Sequence, residues 1–253
     1  MPHAFSMQDK IVVITGASRG IGRGLATYFA EQGAHVVALA RNLEQLETLQ
    51  ADIQHSGGKC SYYALDVRNV PSIQGVFDSV VAELGRIDIL INNAGMGKPI
   101  PAIDITEDDW DEMMSLNMKG TFFCAQAAAR HMLPKQYGRI VNISSQAAVI
   151  AIDGEAIYCS SKGGINQLTK VLALEWSKHG VTVNAVGPTF TYTPGTAERL
   201  DNPEFRAGVL ANIPRGRIGS IDDIANAVQF LAADSSDMVN GAFVLTDGGW
   251  TIV

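Results

Sequence analysis

A chain of 253 residues, 47% hydrophobic and 18% charged, is long enough for one large α/β core or two small ones. Nineteen basic against 26 acidic side chains leave a formal charge of −7, and no basic cluster follows a phosphate backbone, which excludes nucleic acid as an expected partner. Cys60, Cys124 and Cys159 form no CxxC pair and are odd in number, arguing against a disulfide framework or zinc site and for a reducing, cytoplasmic setting. The start MPHAFSMQDK has no basic stretch leading into an apolar one, and no later stretch reaches the ~20 apolar residues of a bilayer span, so a soluble, untargeted chain is expected.

Short runs rich in β-branched residues at 10–15, 34–40, 60–65, 88–92, 138–144, 181–186 and 242–246 each predict a buried strand. Helix-length segments lie between them, at 21–32, 42–55, 70–84, 106–132, 156–179 and 221–233. Such alternation predicts a doubly wound parallel α/β sheet, with ligand bound outside the strand carboxyl ends where the strand order reverses. The rhythm breaks at 187–217, which holds Pro188, Pro194, Pro203 and Pro214 and only one helix-capable piece, 196–212. A connection of that length predicts a lid or binding loop.

The turn TGASRGIG ends the first strand and opens the first helix. Gly16, Gly20 and Gly22 allow a tight turn and close backbone approach, and with Ser18, Arg19 and Ile21 they predict a pyrophosphate seat at the helix N-terminus. Gly16-Ala17-Ser18-Arg19-Gly20 is also a formal G-x-S-x-G elbow, the mark of an α/β-hydrolase nucleophile. That reading is weak: no earlier strand precedes it to complete an oxyanion hole, and no histidine lies in a late loop. After the second strand stands Ala40-Arg41 rather than an acid. Arg41, helped by Arg19, favours the 2′-phosphate of NADP(H), with NAD(H) as the second choice. Asp66 and Val67 suit an adenine edge and face. Asn92, Asn93, Ala94 and Gly95, the NNAG run after the fourth strand, are expected along the cofactor.

Tyr158 and Lys162 stand four apart in YCSSK, on one face of a helix. Two charges ~4 Å apart at an effective dielectric of ~20 interact by roughly 4 kcal/mol, which is expected to draw the phenol down toward neutral pH. A lysine is rarely buried without a partner or a task, so the pair outweighs the plain reading of Tyr158 as a core aromatic. Ser145, at a strand end, is expected to hold a carbonyl oxygen, with Ser144 pointing the other way. Asn117 falls mid-helix, where asparagine is a mediocre helix former, and a polar task such as holding a water is expected of it.

Taken together these residues resemble the short-chain dehydrogenase/reductase family, from Lys10 to the closing DGGW. TGASRGIG, NNAG, Asn117, Ser145, the YCSSK pair, VNAVGP and Asp247-Gly248-Gly249 match that family's pattern in order and spacing. The resemblance implies one Rossmann-like domain over 1–253, a three-layer sandwich around a seven-stranded parallel sheet, commonly in a homotetramer. It implies Tyr158 as the proton donor or acceptor, Lys162 as the group that lowers its pKa and grips the nicotinamide ribose, Ser145 as the carbonyl holder, and Asn117 as the support of a relay water. It also sets Pro188, Thr189, Thr191 and Thr193 against the nicotinamide end. One departure stands out: the family usually has glycine after Pro188, and Thr189 is expected to narrow the substrate mouth.

Gln146, Ala147, Ile150, Met96, Phe190 and Tyr192 are the expected pocket walls, mixed in polarity and without a carboxylate clamp. Reductases of 3-oxoacyl groups on acyl carrier protein look similar over the whole length but tend to carry arginines at the mouth, where this chain has Gln136 and His179. The start and the VNGAFVLTDGGW ending resemble sugar-acid and polyol dehydrogenases of the family. A small ketone or secondary alcohol is therefore the expected substrate, as for a carbonyl reductase or alcohol dehydrogenase. A dinucleotide-binding scaffold without chemistry is disfavoured, because Asn117, Ser145, Tyr158 and Lys162 are all present.

Overall fold

The computed structural model describes residues 5–253. The expectation drawn from the start MPHAFSMQDK rests partly on residues 1–4, outside that range. Seven strands alternate with helices: β1 (Ile11–Thr15), α1 (Gly20–Glu31), β2 (His35–Ala40), α2 (Leu43–His55), β3 (Lys59–Ala64), α3 (Val70–Leu84) and β4 (Ile89–Asn92) form the first half. The second half holds α4 (Glu107–Met114), α5 (Gly120–Met132), β5 (Gly138–Ile143), α6 (Ala156–Trp176), β6 (Val181–Pro188), α7 (Ala197–Leu200), α8 (Pro203–Ala211), α9 (Ile221–Ala232) and β7 (Phe243–Thr246). All strand pairs are parallel, in the order β3-β2-β1-β4-β5-β6-β7. The order reverses between β1 and β4, and the crevice beyond their carboxyl ends receives the residues discussed below.

Alternate side chains of each strand serve opposite faces. Val12, Ile14, Val36 and Ile91 pack with Leu25 and Phe29 of α1 and with Ile224 and Val228 of α9 on one side. Val13, Val37, Leu90 and Ile140 pack with Phe77 of α3, Cys124 of α5 and Leu172 of α6 on the other. The three-layer architecture follows from this two-sided burial. The uniform expectation of buried strands fails at the edges: in β3 only Cys60 is buried and β7 is only partly buried, because an edge strand has one neighbour and thinner helix cover.

Two expected helices are broken. Segment 106–132 divides into α4 and α5 around a π-helical turn, Ser115–Lys119, that contains Asn117. Segment 196–212 divides at Asn202 and Pro203: the proline has no N–H to continue α7, and the Asn202 side chain accepts from Glu204 and Phe205 N–H at 2.9 and 3.1 Å to start α8 afresh. Among the described residues, no helix is long and apolar enough to cross a membrane, and no group of His, Cys, Asp and Glu could hold a metal ion.

Candidate active site

The glycine turn is built to let an anion approach. Gly16 has φ +66°, and a Cβ there would fall 2.9 Å from the Ala94 Cα, so the turn lies directly against the NNAG run. A Cβ on Gly22 would strike the Gly16 carbonyl oxygen. Arg19 occupies the N-cap of α1 without a side-chain cap, leaving the first-turn amides for an outside acceptor, where the helix dipole favours negative charge. These features fit a dinucleotide pyrophosphate. Asn93 clamps the turn, donating to the Thr15 and Gly16 carbonyls at 3.0 and 3.2 Å. Asn92 is turned inward to Asn142 and the Thr121 carbonyl. Both side-chain NH2 groups are thus engaged within the protein, while Asn92 Oδ1 is buried without a partner.

At the end of β2, Arg41 is exposed. Asp66 is bound by Arg68 at 2.7 and 3.1 Å, and the Arg68 guanidinium, with Arg41 adding a smaller pull, holds its carboxyl below the usual range. Arg68 was not expected from sequence. Val67 is buried against Gly120.

Ser18 lies in the glycine turn, while His35 bonds Ser61 and His131 bonds Asp78. No Ser-His couple forms there.

Four side chains converge beyond β4 and β5. Lys162, buried on α6, donates to the Ile143 carbonyl at 2.8 Å. A Cβ built on Gly95 would lie 3.2 Å from Asn117 Oδ1 and 3.6 Å from Lys162 Nζ, so these groups enclose one small space. The Asn117 side chain donates to the Met96 carbonyl and to Ser161 and accepts from Met96 N–H. Its side-chain amide is committed to the Met96 backbone and to Ser161. Ser145 follows β5, and its Oγ accepts from Ala147 N–H at 3.1 Å, leaving its proton to point elsewhere. Ser144 donates instead to the Lys162 carbonyl, on the other side as expected.

The expected lowering of Tyr158 is not what the structure holds. Burial pushes the phenol up, Ser145 pulls it down, and the nearby Glu155 pushes it up again. Burial likewise pushes Lys162 down to about 8. The reason is geometric: the ammonium stands 5.6 Å from the Tyr158 ring centroid and is directed at Ile143, so desolvation outweighs the attraction between them.

Thr189 is buried with its Oγ1 unpartnered and lines a cavity of about 250 Å³ with Arg215, Arg217, Asp223 and Thr246. Tyr192 bonds Asp201 and, with Thr193, lines a cavity of about 520 Å³ with Arg19 and with Gly20 and Tyr28 of α1. Thr191 is held inward, donating to the Thr189 carbonyl, and Pro188 pairs with Thr246 of β7. Phe190 stacks on Trp250 and meets Phe205 edge-on. Gln146 and Ala147 are buried beside Ser145, and Ile150 is partly buried.

The family model for enoyl-(acyl carrier protein) reductases matches residues 16–251. D-threitol dehydrogenase of Mycolicibacterium smegmatis is 41% identical over 98% of this chain and 95% of its own. The 3-oxoacyl-[acyl-carrier-protein] reductase of Thermotoga maritima is 37% identical over 97% and 99%. The crystal structure of a gluconate 5-dehydrogenase from Burkholderia cenocepacia, in complex with NADP and tartrate, superposes with a TM-score of 0.96 at 35% identity over 99% and 98% of the two chains. The chain belongs to the short-chain dehydrogenase/reductase family. As a short-chain dehydrogenase/reductase it is an oxidoreductase that works with a nicotinamide dinucleotide on an alcohol or carbonyl.

Sequence reasoning missed a further part of this short-chain dehydrogenase/reductase's site. Glu155, the N-cap of α6, is 7% exposed, and its Oε1 lies 3.4 Å from Arg199 of α7. The signal was its place three residues before Tyr158, on the same helix face.

Proposed function

We propose that this enzyme transfers hydride between NADP(H) and a small ketone or secondary alcohol of the polyol or sugar type. The observation that carries the reading is the convergence of Lys162, Asn117 and the Gly95 backbone on one space, one helical turn from Tyr158. Arg41, with no acid at the end of β2, supports NADP(H) over NAD(H). That similar proteins are named for D-threitol and gluconate supports a polyhydroxylated substrate.

A bound nicotinamide ring supplies or takes the hydride. Around it the chain's residues divide the remaining work. Ser145, whose Oγ already accepts from Ala147 N–H, turns its own proton to the substrate carbonyl oxygen. In reduction, Tyr158 gives its proton to that oxygen, and the phenolate left behind is stabilised by Ser145 and the Lys162 ammonium. Asn117 is a positioning residue that locks the Met96 backbone beside Lys162. Gly16, Gly20 and Gly22 seat the pyrophosphate, Arg19 and Arg41 face the 2′-phosphate, and Pro188, Thr191 and Thr193 border the nicotinamide end under the lid 187–217. The whole of 1–253 acts as one domain in this reading.

The free thiols of Cys60, Cys124 and Cys159 support a cytoplasmic setting. Exposed Met238 and Leu174 support burial in a homotetramer, which light scattering on the purified protein checks. The runner-up is a 3-oxoacyl-thioester reductase, favoured by the similarity to the Thermotoga enzyme. Assay of polyols, ketones and a 3-oxoacyl thioester with NADPH and NADH side by side tests both readings. Turnover of the thioester alone would replace the first by the second, and no turnover of any would sink both.

A further inference from the structure

Glu155 is a buried carboxyl at the site for which the hydride transfer has no use. Its Oε1 reaches Arg199, but its Oε2 is buried with no hydrogen-bond partner. That oxygen and the Tyr158 ring border one space: a Cβ built on Gly97 would lie 3.6 Å from Glu155 Oε2 and 3.4 Å from Tyr158 Cδ2. A buried carboxylate oxygen without a donor is unfavourable, so the site favours a ligand that brings one. Arg199 is held in turn, its guanidinium 4.5 Å from the Phe205 ring centroid and 5.7 Å from that of Phe190. The ion pair therefore joins the start of α6 to the lid. Burial pushes the Glu155 carboxyl up and Arg199 draws it back, and its seat at a helix N-terminus also favours the anion.

We propose that Glu155 accepts a hydrogen bond from a second substrate hydroxyl, on the carbon next to the one oxidised, while its other oxygen ties down the lid through Arg199. The site then selects neutral vicinal diols. A monohydric alcohol leaves Oε2 unpaired, and a 2-hydroxy acid sets carboxylate against carboxylate. The selectivity rests on the reading of this protein as a dehydrogenase of secondary alcohols.

Butane-2,3-diol, butan-2-ol and 2-hydroxybutanoate, each oxidised with NADP⁺ by the native enzyme and by Glu155→Gln, test it. The native enzyme is expected to prefer the diol over butan-2-ol by about tenfold or more in kcat/KM, the yield of one hydrogen bond to a charged acceptor. Glu155→Gln should lose about that factor on the diol, change butan-2-ol less than about twofold and improve on the acid. NADPH fluorescence titration of the variant reports any loosening of the lid through Arg199, and a loss on the diol beyond that common effect is the mark of hydroxyl recognition. Equal losses on diol and monohydric alcohol would mark a merely structural role and overturn the proposal, as would an unchanged diol rate. A native enzyme that oxidises butan-2-ol without preferring the diol overturns it whether or not the variant folds, and leaves the proposed function standing. If no secondary alcohol or ketone is turned over, the function itself falls and the selectivity with it.

Discussion

The Lys162 ammonium stands 5.6 Å from the Tyr158 ring centroid and donates to the Ile143 carbonyl at 2.8 Å. The two residues are neighbours on one helix face, yet the lysine is anchored to the end of β5 and not to the phenol. A group so placed acts on whatever enters the space between them, and its own burial sets the direction of its titration.

Lys162→Met is expected to abolish turnover and to stabilise the protein free of cofactor. Burial pushes Lys162 from 10.5 down to about 8, so between those values the unfolded chain binds more protons than the native one. The stability contribution of this group therefore rises with pH through that window, and its penalty is fullest below about 8. Removing the ammonium should raise stability at pH 7 by about 1–2 kcal/mol, with the gain shrinking toward pH 10. Urea melts of both proteins at pH 7 and 10 measure this; a loss of stability at pH 7 would contradict it.

Tyr158→Phe should lower kcat by about 10³-fold or more while leaving NADPH affinity within about threefold, since the ring is kept and only the proton is removed. Stopped assays and fluorescence titration separate the two effects. Undiminished turnover would remove Tyr158 from the mechanism.

If Arg41 takes the 2′-phosphate as proposed, Arg41→Asp should reduce kcat/KM for NADPH by about 100-fold, a cation becoming an anion, and should leave NADH unchanged or improved. Equal losses with both cofactors would refute the assignment.

Cys124 is fully buried on α5, and burial pushes its thiol up to about 12. Its native pKa is raised above the 9.0 of an unburied thiol, so its contribution to stability is whole below about 9 and lost as pH rises toward 12. Cys124→Ala should therefore show a shallower fall in melting temperature between pH 9 and 10.5 than the native protein. Parallel curves would show that the alkaline limb has another origin.

Much of this molecule was legible in the chain itself. Val70–Leu84 stands where the periodicity put it, and Asn42 caps α2, accepting from Gln45 N–H. The glycines of the first turn, the spacing of Tyr158 and Lys162, and the alternation of strand and helix are local patterns, which any short window of sequence carries. Edge strands, the π turn at Asn117 and the break at Pro203 were less visible. The first two depend on neighbours distant in the chain, and the proline was seen without its consequence for the lid helix.

By itself, the sequence determined the order of the elements, the glycine turn between β1 and α1, and the spacing that sets Tyr158 and Lys162 on one helix face. Only the tertiary structure decided what those groups feel. Asn117 is committed to Met96 and Ser161, Thr189 borders a cavity together with Thr246 of β7, and Glu155 is drawn to Arg199, 44 residues further along the chain. Burial raises Tyr158 where one-dimensional spacing to Lys162 had implied a fall. The physical reason is common to all four: hydrogen-bond partners and desolvation come from the summed approach of remote segments, and periodicity along one segment records only which face turns inward.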